Sequence, residues 1–395
     1  MQSENPRTSE AACLKPARTI DVAAGAGYRV EITPGLLSNT PALAERLAAL
    51  LGLADGRRAV IVTDSNVAPL WAGRVEAALR EVGGRAHAGT VTIPAGEPSK
   101  TPATLVSTLE RMAALELTRR DAVIALGGGV VGDLAGLAAA LYMRGVACLQ
   151  IPTSLLAMVD SSVGGKTAVD LEAGKNLMGA FSQPRGVLID PEALSTLPAR
   201  EVSCGWGEII KYGSLDPAVE ALVERELAAP KGAERAEGPA PLPSLELIAE
   251  SIDVKRRIVS EDERESGVRR LLNLGHTVGH AVETASNYAL SHGACVGIGM
   301  RILVKALVAG GRLPQARLAE LDGLLAAADL PRGVPPEVLA DPRVDMSPEA
   351  LEAIARHDKK SAGSDVALVL PDENHTSHVE RVSWERLLEM IRIGL

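Results

Sequence analysis

Between residues 58 and 190 the chain repeats one pattern, a short β-branched run followed by a helical stretch. The runs are RAVIVTD (58–64), DAVIALGGG (121–129), ACLQIPT (147–153) and GVLID (186–190), separated by helical patterns such as 105–115 and 134–143. Strands joined through helices need crossover connections, which place them parallel in one sheet with helices packed on it. Before this region, 19–32 reads as β-rich and 41–53 as a helix.

After about Pro191 the β-branched runs largely disappear, and helical periodicity takes over, for example at 198–212 and 244–258. The Pro-, Gly- and charge-rich segment AAPKGAERAEGPAPLP (228–243) reads as a loop, and DVALVLPDE (365–373) as one late strand. At 395 residues the chain exceeds the roughly 250–300 at which a single core stops growing. The expected organisation is a disordered extension (1–18), an α/β domain with a parallel sheet (19–190) and a mostly α-helical domain (191–395). Apolar residues make up 46% but aromatics only 2%, so Leu, Val, Ile and Ala must fill both cores.

The formal charge of −9 argues against a nucleic-acid surface, which needs clustered Lys and Arg. Anionic ligands must then be caught locally. Cys13, Cys148, Cys204 and Cys295 are far apart and lack metal-ribbon or redox spacing, as expected of reduced thiols in the cytoplasm. The first twenty residues hold no secretory apolar run, and no stretch reads as a membrane span, so a soluble chain is expected.

Chemistry concentrates in three places. GGGVVGD (127–133) ends a strand and opens a helix, where glycines admit a pyrophosphate to the backbone and the helix N-terminus offers N–H groups. It follows a later strand of its domain instead of the first, which suggests a nucleotide fold other than the standard dinucleotide arrangement. Asp64 and Asn66 leave another strand end, with groups suited to ribose hydroxyls, and IPAGEPSK (93–100) is a turn carrying Glu97 and Lys100.

The second place is RRLLNLGHTVGHAVE (269–283) with LSHGACVGIGM (290–300). His276 and His280 share a helix face at i, i+4, and His292 lies in a turn nearby. Spacing nominates His276 and His280 as ligands of a divalent metal, and Glu208, on the apolar helix GWGEIIKYG (205–213), offers a third. A salt bridge from Glu208 to Lys211 at i+3 is the competing reading. The third place is DSSVGGKTAVDLEAGKNLMGAF (160–181), where Lys166, Lys175 and Asn176 form a basic, amide-rich surface. With Arg144, Lys211, Lys255 and Arg269 it suits a ligand bearing phosphate and carboxylate groups.

Taken in order, GGGVVGDLAG, YMRG, IPTSLLAMVDSSVGGKT, GKNLMGAF, TLPARE, GEIIKYG, LLNLGHTVGHA and HGACVGIGM resemble the 3-dehydroquinate synthases, a branch of the sugar phosphate cyclases, over nearly the whole chain from about Ile20. The resemblance implies an NAD-binding α/β domain, a helical domain, an active site in the cleft between them, and a homodimer. It implies Glu208, His276 and His292 as ligands of one zinc or cobalt ion, with His280 released to substrate. It places the nucleotide at Ala95, Gly96, Glu97, Pro98, Ser99 and Lys100; at Gly129, Val130, Val131, Gly132 and Asp133; at Thr153, Ser154, Lys166 and Lys175; and at Ala193, Leu194, Ser195 and Thr196. Substrate contacts are implied for Arg144, reaching across the dimer, and for Asp160, Lys166, Asn176, Lys211, Lys255, Arg269, Asn273, His280 and either Lys359 or Lys360.

The implied reaction converts 3-deoxy-D-arabino-heptulosonate 7-phosphate into 3-dehydroquinate and phosphate by transient oxidation, elimination, reduction and intramolecular aldol closure. Two departures sit beside implied ligands: Gly207 stands where the family often has Ala, and Ala294 where it often has Glu. Rival readings are another sugar phosphate cyclase (an amino-dehydroquinate, 2-epi-5-epi-valiolone or 2-deoxy-scyllo-inosose synthase), a glycerol-dehydrogenase-like metal enzyme, and an inactive scaffold of the same fold. Asn273 with Arg269 favours a carboxylate-bearing substrate, and the lysines of GGKT and GKN disfavour the dehydrogenase.

Overall fold

A computed structural model of the chain describes residues 14–228, 239–358 and 363–395. Two compact units emerge, one of residues 14–21, 27–153 and 165–195, the other of 22–26, 154–164, 196–228, 239–358 and 363–395. The boundary expected at 190/191 lies five residues before the one at 195/196, and the loop 154–164 belongs to the second unit although its flanks belong to the first. That loop is held where it is by Leu155, packed beneath Gly205, and by Asp160, paired with buried lysines.

The first unit contains strands β1 (Arg18–Val22), β2 (Tyr28–Ile32), β3 (Ala59–Asp64), β4 (His87–Ile93), β5 (Ala122–Gly127), β6 (Ala147–Pro152), β7 (Lys166–Leu171), β8 (Gly174–Phe181) and β9 (Gly186–Ile189). Its helices are α1 (Thr40–Leu51), α2 (Gly73–Val82), α3 (Pro102–Ala114) and α4 (Gly129–Leu141). Seven strands form one sheet in the order β1-β2-β9-β6-β5-β3-β4, and every pair from β2 to β4 is parallel. β3, β5 and β9 are buried at every residue, as two-face burial of parallel strands requires. Helices α3 and α4 lay Leu105, Met112, Leu134 and Ala138 onto Val60, Val62 and Val123. Local chemistry sets the helix starts: Asn39 accepts from the Ala42 N–H at 3.1 Å, and Thr101 from Thr104 at 3.2 Å, each with Pro in the first turn.

Two features differ from the sequence reading. Helix α4 begins at Gly129, not at 134, so the glycine motif is itself the helix's first turn. β4 and the antiparallel β7–β8 hairpin carry Gly and polar residues that mask their strand character.

The second unit holds α5 (Ala199–Gly213), α6 (Pro217–Leu227), α7 (Leu245–Glu261), α8 (His276–Ala285), α9 (His292–Ala309), α10 (Gln315–Ala327), α11 (Pro336–Leu339), α12 (Pro348–Asp358) and α13 (Trp384–Gly394). The late strand β10 (Asp365–Pro371) pairs antiparallel with β11 (Ser377–Ser383). At 18 residues with mean hydropathy 1.5, α9 is long and apolar enough for a membrane crossing, unlike anything expected from the sequence. It is a core helix, 72% buried beneath α5, α8, α10 and α13, and it carries Arg301 and Lys305.

Candidate active site

In the first unit, the strand order makes sense of the glycine motif's position. From β3 the chain steps outward to β4, then returns to the other side of β3 as β5 and continues to β6. The order therefore reverses between β3 and β5, and open α/β sheets bind ligands outside the carboxyl ends of strands at such a point. Both ends carry expected nucleotide residues. After β5, Gly128 caps α4 without any side-chain acceptor, leaving the first-turn N–H groups for an anion. After β3, however, the Asp64 carboxylate accepts from its own turn, from Asn66 N–H at 2.8 Å and Val67 N–H at 2.9 Å, so it shapes that turn. Asn66 is exposed beside it.

Lys100 is the centre of the polar cluster in this unit. Its ammonium is buried and donates to Asp133 at 2.7 Å and to Asn176 at 2.6 Å. Burial alone would lower its pKa, but Asp133 and Glu97 raise it, so the charge stays. Lys175 pairs with Glu97 at 3.1 Å, and Asn176 adopts φ 56° with its N–H on Asp170. The turn from 93 to 100, the glycine turn and the β7–β8 hairpin are thus tied into one surface. Thr153 joins it through its N–H, which donates to the Gly127 carbonyl at 3.0 Å. Ala193 and Leu194 are buried in the turn Pro191–Thr196, where Ser195 donates to Glu192. Lys166, at the start of β7, is exposed. Arg144 is exposed too, at the opposite end of α4 from Gly129, about 20 Å away along the helix. The structure does not gather it with Lys100 and Asn176.

In the second unit, α5, α8 and α9 bring three imidazoles and a carboxylate together. Glu208 is fully buried. Its Oε1 lies 3.2 Å from His292 Nε2 and 3.4 Å from His276 Nε2. Each of those rings is oriented through its other nitrogen: His276 Nδ1 meets the Leu274 carbonyl at 3.0 Å, and His292 Nδ1 faces Glu283 Oε2 at 3.5 Å. Such outer partners present Nε2 for ligation. His280 is adjacent, its ring centroid 5.2 Å from that of His276 and 5.7 Å from that of His292.

The electrostatics agree with a cation-binding role. Burial would raise the Glu208 carboxyl, but Lys211 and the hydrogen bond from His292 hold it down to about 2. Burial keeps His276 well below its usual pKa and therefore neutral, the form that ligates a metal. For His292 burial acts in the same direction, but hydrogen bonds to Glu208 and Glu283 win and push it up to about 10, so its ring holds a proton between the two carboxylates that a metal ligated there would displace. Nitrogen and oxygen donors arranged tetrahedrally at about 2.0–2.1 Å from zinc stand roughly 3.3 Å apart. The 3.2 and 3.4 Å separations around Glu208 Oε1 fit that group. The expected Glu208–Lys211 salt bridge is present as well, so the two sequence readings of Glu208 do not compete.

Asp160 extends the cluster. Lys255 Nζ lies 2.9 Å from its Oδ1 and 2.6 Å from its backbone carbonyl, Lys211 Nζ is 3.9 Å away, and the Tyr212 hydroxyl donates to the same carboxylate. Burial opposes the charge, yet the lysines hold Asp160 well below the usual range. Arg269, buried, donates to the Gly164 carbonyl at 2.9 Å and to that of Glu263. The Asn273 amide donates to Glu265 at 2.5 Å. Lys359 and Lys360 lie outside the described residues. Glu283 and Tyr212 were missed by sequence reasoning; Glu283 repeats the His276 face at i+7, a signal open to reading.

Glu220, Glu320 and His375 form a second acid and imidazole cluster, but Arg317 sits within it, in ion pairs with both glutamates and 3.0 Å from His375 Nδ1. It is already neutralised by protein. Burial, with the charges of Glu320 and Glu224 and against that of Arg317, pushes Glu220 up to about 7. An acid whose folded pKa is raised loses stability as pH climbs from about 4.5 toward 7. Glu220→Gln is therefore expected to raise the melting temperature by roughly 5 °C at pH 8 and hardly at all at pH 5. Equal effects in melts at the two pH values would contradict this.

Residues 90–204 match the family description "3-dehydroquinate synthase N-terminal" and 205–361 match "3-dehydroquinate synthase C-terminal". The chain is 44% identical over 363 residues to the 3-dehydroquinate synthase of Xanthomonas axonopodis pv. citri (strain 306), covering 90% of this chain and 92% of that protein. To its counterpart in Caulobacter vibrioides (strain NA1000 / CB15N) it is 43% identical over 366 residues, 89% and 92% of the two chains. Among solved structures, the 2-epi-5-epi-valiolone synthase ValA of Streptomyces hygroscopicus subsp. jinggangensis 5008, with NAD+ and Zn2+ bound, superposes with TM-score 0.76 at 27% identity, covering 93% of this chain and 96% of that one. A 2-deoxy-scyllo-inosose synthase complexed with carbaglucose-6-phosphate, NAD+ and Co2+ gives TM-score 0.74 at 25% identity, 96% and 100% covered.

Proposed function

The chain belongs to the 3-dehydroquinate synthase family, and from that premise we propose that it converts 3-deoxy-D-arabino-heptulosonate 7-phosphate into 3-dehydroquinate and phosphate, the second step of the shikimate pathway. The observation that carries this reading is identity of 43–44% sustained over about nine-tenths of the chain to proteins with that activity in their names. The valiolone and inosose synthases share the fold at only 25–27% identity, so the rival cyclases are disfavoured.

Glu208, His276 and His292 would hold one divalent metal, zinc or cobalt, and the glycine turn with Lys100, Asp133 and the β7–β8 hairpin would hold NAD+. Bound there, the metal would supply Lewis-acid polarisation of a substrate hydroxyl and the nicotinamide a reversible hydride acceptor. The chain's own groups bind and orient. Lys211, Lys255 and Arg269 outnumber the carboxylates of Glu208 and Asp160, which suits a substrate carrying phosphate and carboxylate. Lys255 and Tyr212 fix Asp160 as an ionised acceptor for a substrate hydroxyl. His280, next to the donors, is the candidate for moving a proton at the substrate. Asn273 must exchange Glu265 for the substrate carboxylate.

Assembly as a homodimer belongs to the same reading and is supported by exposed Leu141, Met143, Met178 and Phe181 in the first unit, with exposed Arg144 next in sequence to Met143. Buried thiols at Cys148, Cys204 and Cys295 suit the cytoplasm. The test supplies purified protein with NAD+, Zn2+ and the heptulosonate phosphate and follows phosphate release and dehydroquinate. Turnover is expected there and not on sedoheptulose 7-phosphate; the reverse preference overturns the assignment.

A further inference from the structure

Each of the three proposed metal donors is next in sequence to a glycine, and each of those glycines touches the backbone of another donor helix. Gly207, before Glu208, lies against Gly293 of α9: a methyl group at Gly207 would stand 2.6 Å from the Gly293 Cα and closer still to its carbonyl oxygen. Gly293, after His292, lies against Cys204 of α5, where the same addition would meet the carbonyl carbon at 2.7 Å. Gly275, before His276, has φ +76°, and a methyl there would meet the Val296 carbonyl oxygen of α9 at 2.7 Å. Non-bonded carbons prefer about 3.5–4.0 Å, so these contacts leave no room for any side chain. The obstacles are backbone atoms, which cannot rotate aside.

The α5–α9 crossing carries one more tie. Ser291 caps α9 without a side-chain hydrogen bond, and the Gly293 N–H in its first turn donates instead to the Cys204 sulfur at 3.3 Å. Burial pushes that thiol up to about 12, so it stays protonated and inert. Glu208 lies one helical turn beyond Cys204 on α5, on the same face. The contact that fixes the crossing is therefore the contact that fixes the distance between Glu208 and His292.

We infer that Gly207 and Gly293, with Cys204, are positioning residues of the metal centre, setting the Glu208–His292 separation through a backbone-to-backbone crossing. This rests on Glu208, His276 and His292 being the ligands. Making room for a methyl at Gly207 requires α5 and α9 to part by roughly 1 Å, while metal–ligand distances tolerate only about 0.2 Å.

The test is cobalt binding to the whole protein, followed by its visible absorption, together with melting of the metal-free protein. Gly207→Ala is expected to weaken Co2+ binding at least tenfold, in the range seen when groups supporting a ligand are lost, and to alter the absorption bands. Gly394→Ala is the control. It adds a methyl 2.6 Å from the Ile302 carbonyl oxygen on the same helix α9, ten residues from His292, and should lower the melting temperature without changing cobalt affinity or spectrum. Wild-type affinity and spectrum in Gly207→Ala overturn the inference alone. Cobalt uptake that is absent in the wild type, or unaffected by His292→Ala, overturns the ligand assignment and the inference with it. If Gly207→Ala yields no folded protein, Cys204→Ala decides: it removes the sulfur acceptor without added bulk, so a threefold or greater weakening supports the inference and unchanged affinity overturns it.

Discussion

His292→Ala is expected to abolish tight metal binding, lowering affinity by more than about 100-fold, whereas His280→Ala keeps the metal and loses activity. The asymmetry follows from which nitrogens face Glu208. His292 and His276 each direct Nε2 to within 3.4 Å of one carboxylate oxygen, and each has its Nδ1 occupied by a partner that fixes the ring. Losing a supporting partner of that kind typically costs 10–100-fold in metal affinity, so losing a donor itself should exceed it. Glu283→Gln should then fall in the supporting range. Calorimetric titration of metal-free protein with Zn2+ measures all three. Retention of the metal by His292→Ala with its loss in His280→Ala would transfer ligation to the helical pair that spacing first nominates.

The second large effect is on stability. Lys211 is almost wholly buried, paired with Glu208 and 3.9 Å from Asp160, with its ammonium 4.7 Å from the centre of the Tyr212 ring. Its pKa is raised, whereas that of Lys255 is lowered, although both face Asp160. The difference has a physical cause: burial lowers both, but Lys211 faces two carboxylates that outweigh it, while Lys255 faces one, with Lys211 and Arg269 as like charges. Lys211→Met leaves Glu208 buried without its lysine, and breaking a buried pair from one side costs about 3–5 kcal/mol. At about 2–4 °C per kcal/mol for a unit of this size, the metal-free protein should melt roughly 10 °C lower. Saturating zinc should close part of that gap, because a cation again adjoins Glu208 and ligand binding adds stability to the folded state. A metal-free melting temperature within about 2 °C of wild type would contradict the central role given to this pair.

Much of the first unit was legible because its signals are local. The β-branched runs at 59–64, 122–127 and 147–152 are buried on both faces and carry no competing pattern. The β7–β8 hairpin was not legible: its Lys, Asn and Gly residues read as a polar loop, and only pairing of Lys166 with Phe181 and Val169 with Met178 reveals strands. Helix α9 shows the opposite failure, a continuous apolar stretch whose length means nothing until its neighbours are seen to bury it.

Strand–helix alternation, the glycine turn that opens α4 and the shared face of His276 and His280 were determined by the sequence alone, since each depends on residues within a few positions of one another. Which donors meet was decided by the tertiary structure. Glu208 and His292 are 84 residues apart, and helical periodicity says which face a side chain occupies but not what lies opposite it. That pairing exists because α5 and α9 cross closely enough for Gly207 to touch Gly293, a distance no local pattern encodes. Asp160 makes the same point: it stands in sequence among the strands of the first unit, yet the charges of Lys211 and Lys255 place it in the second.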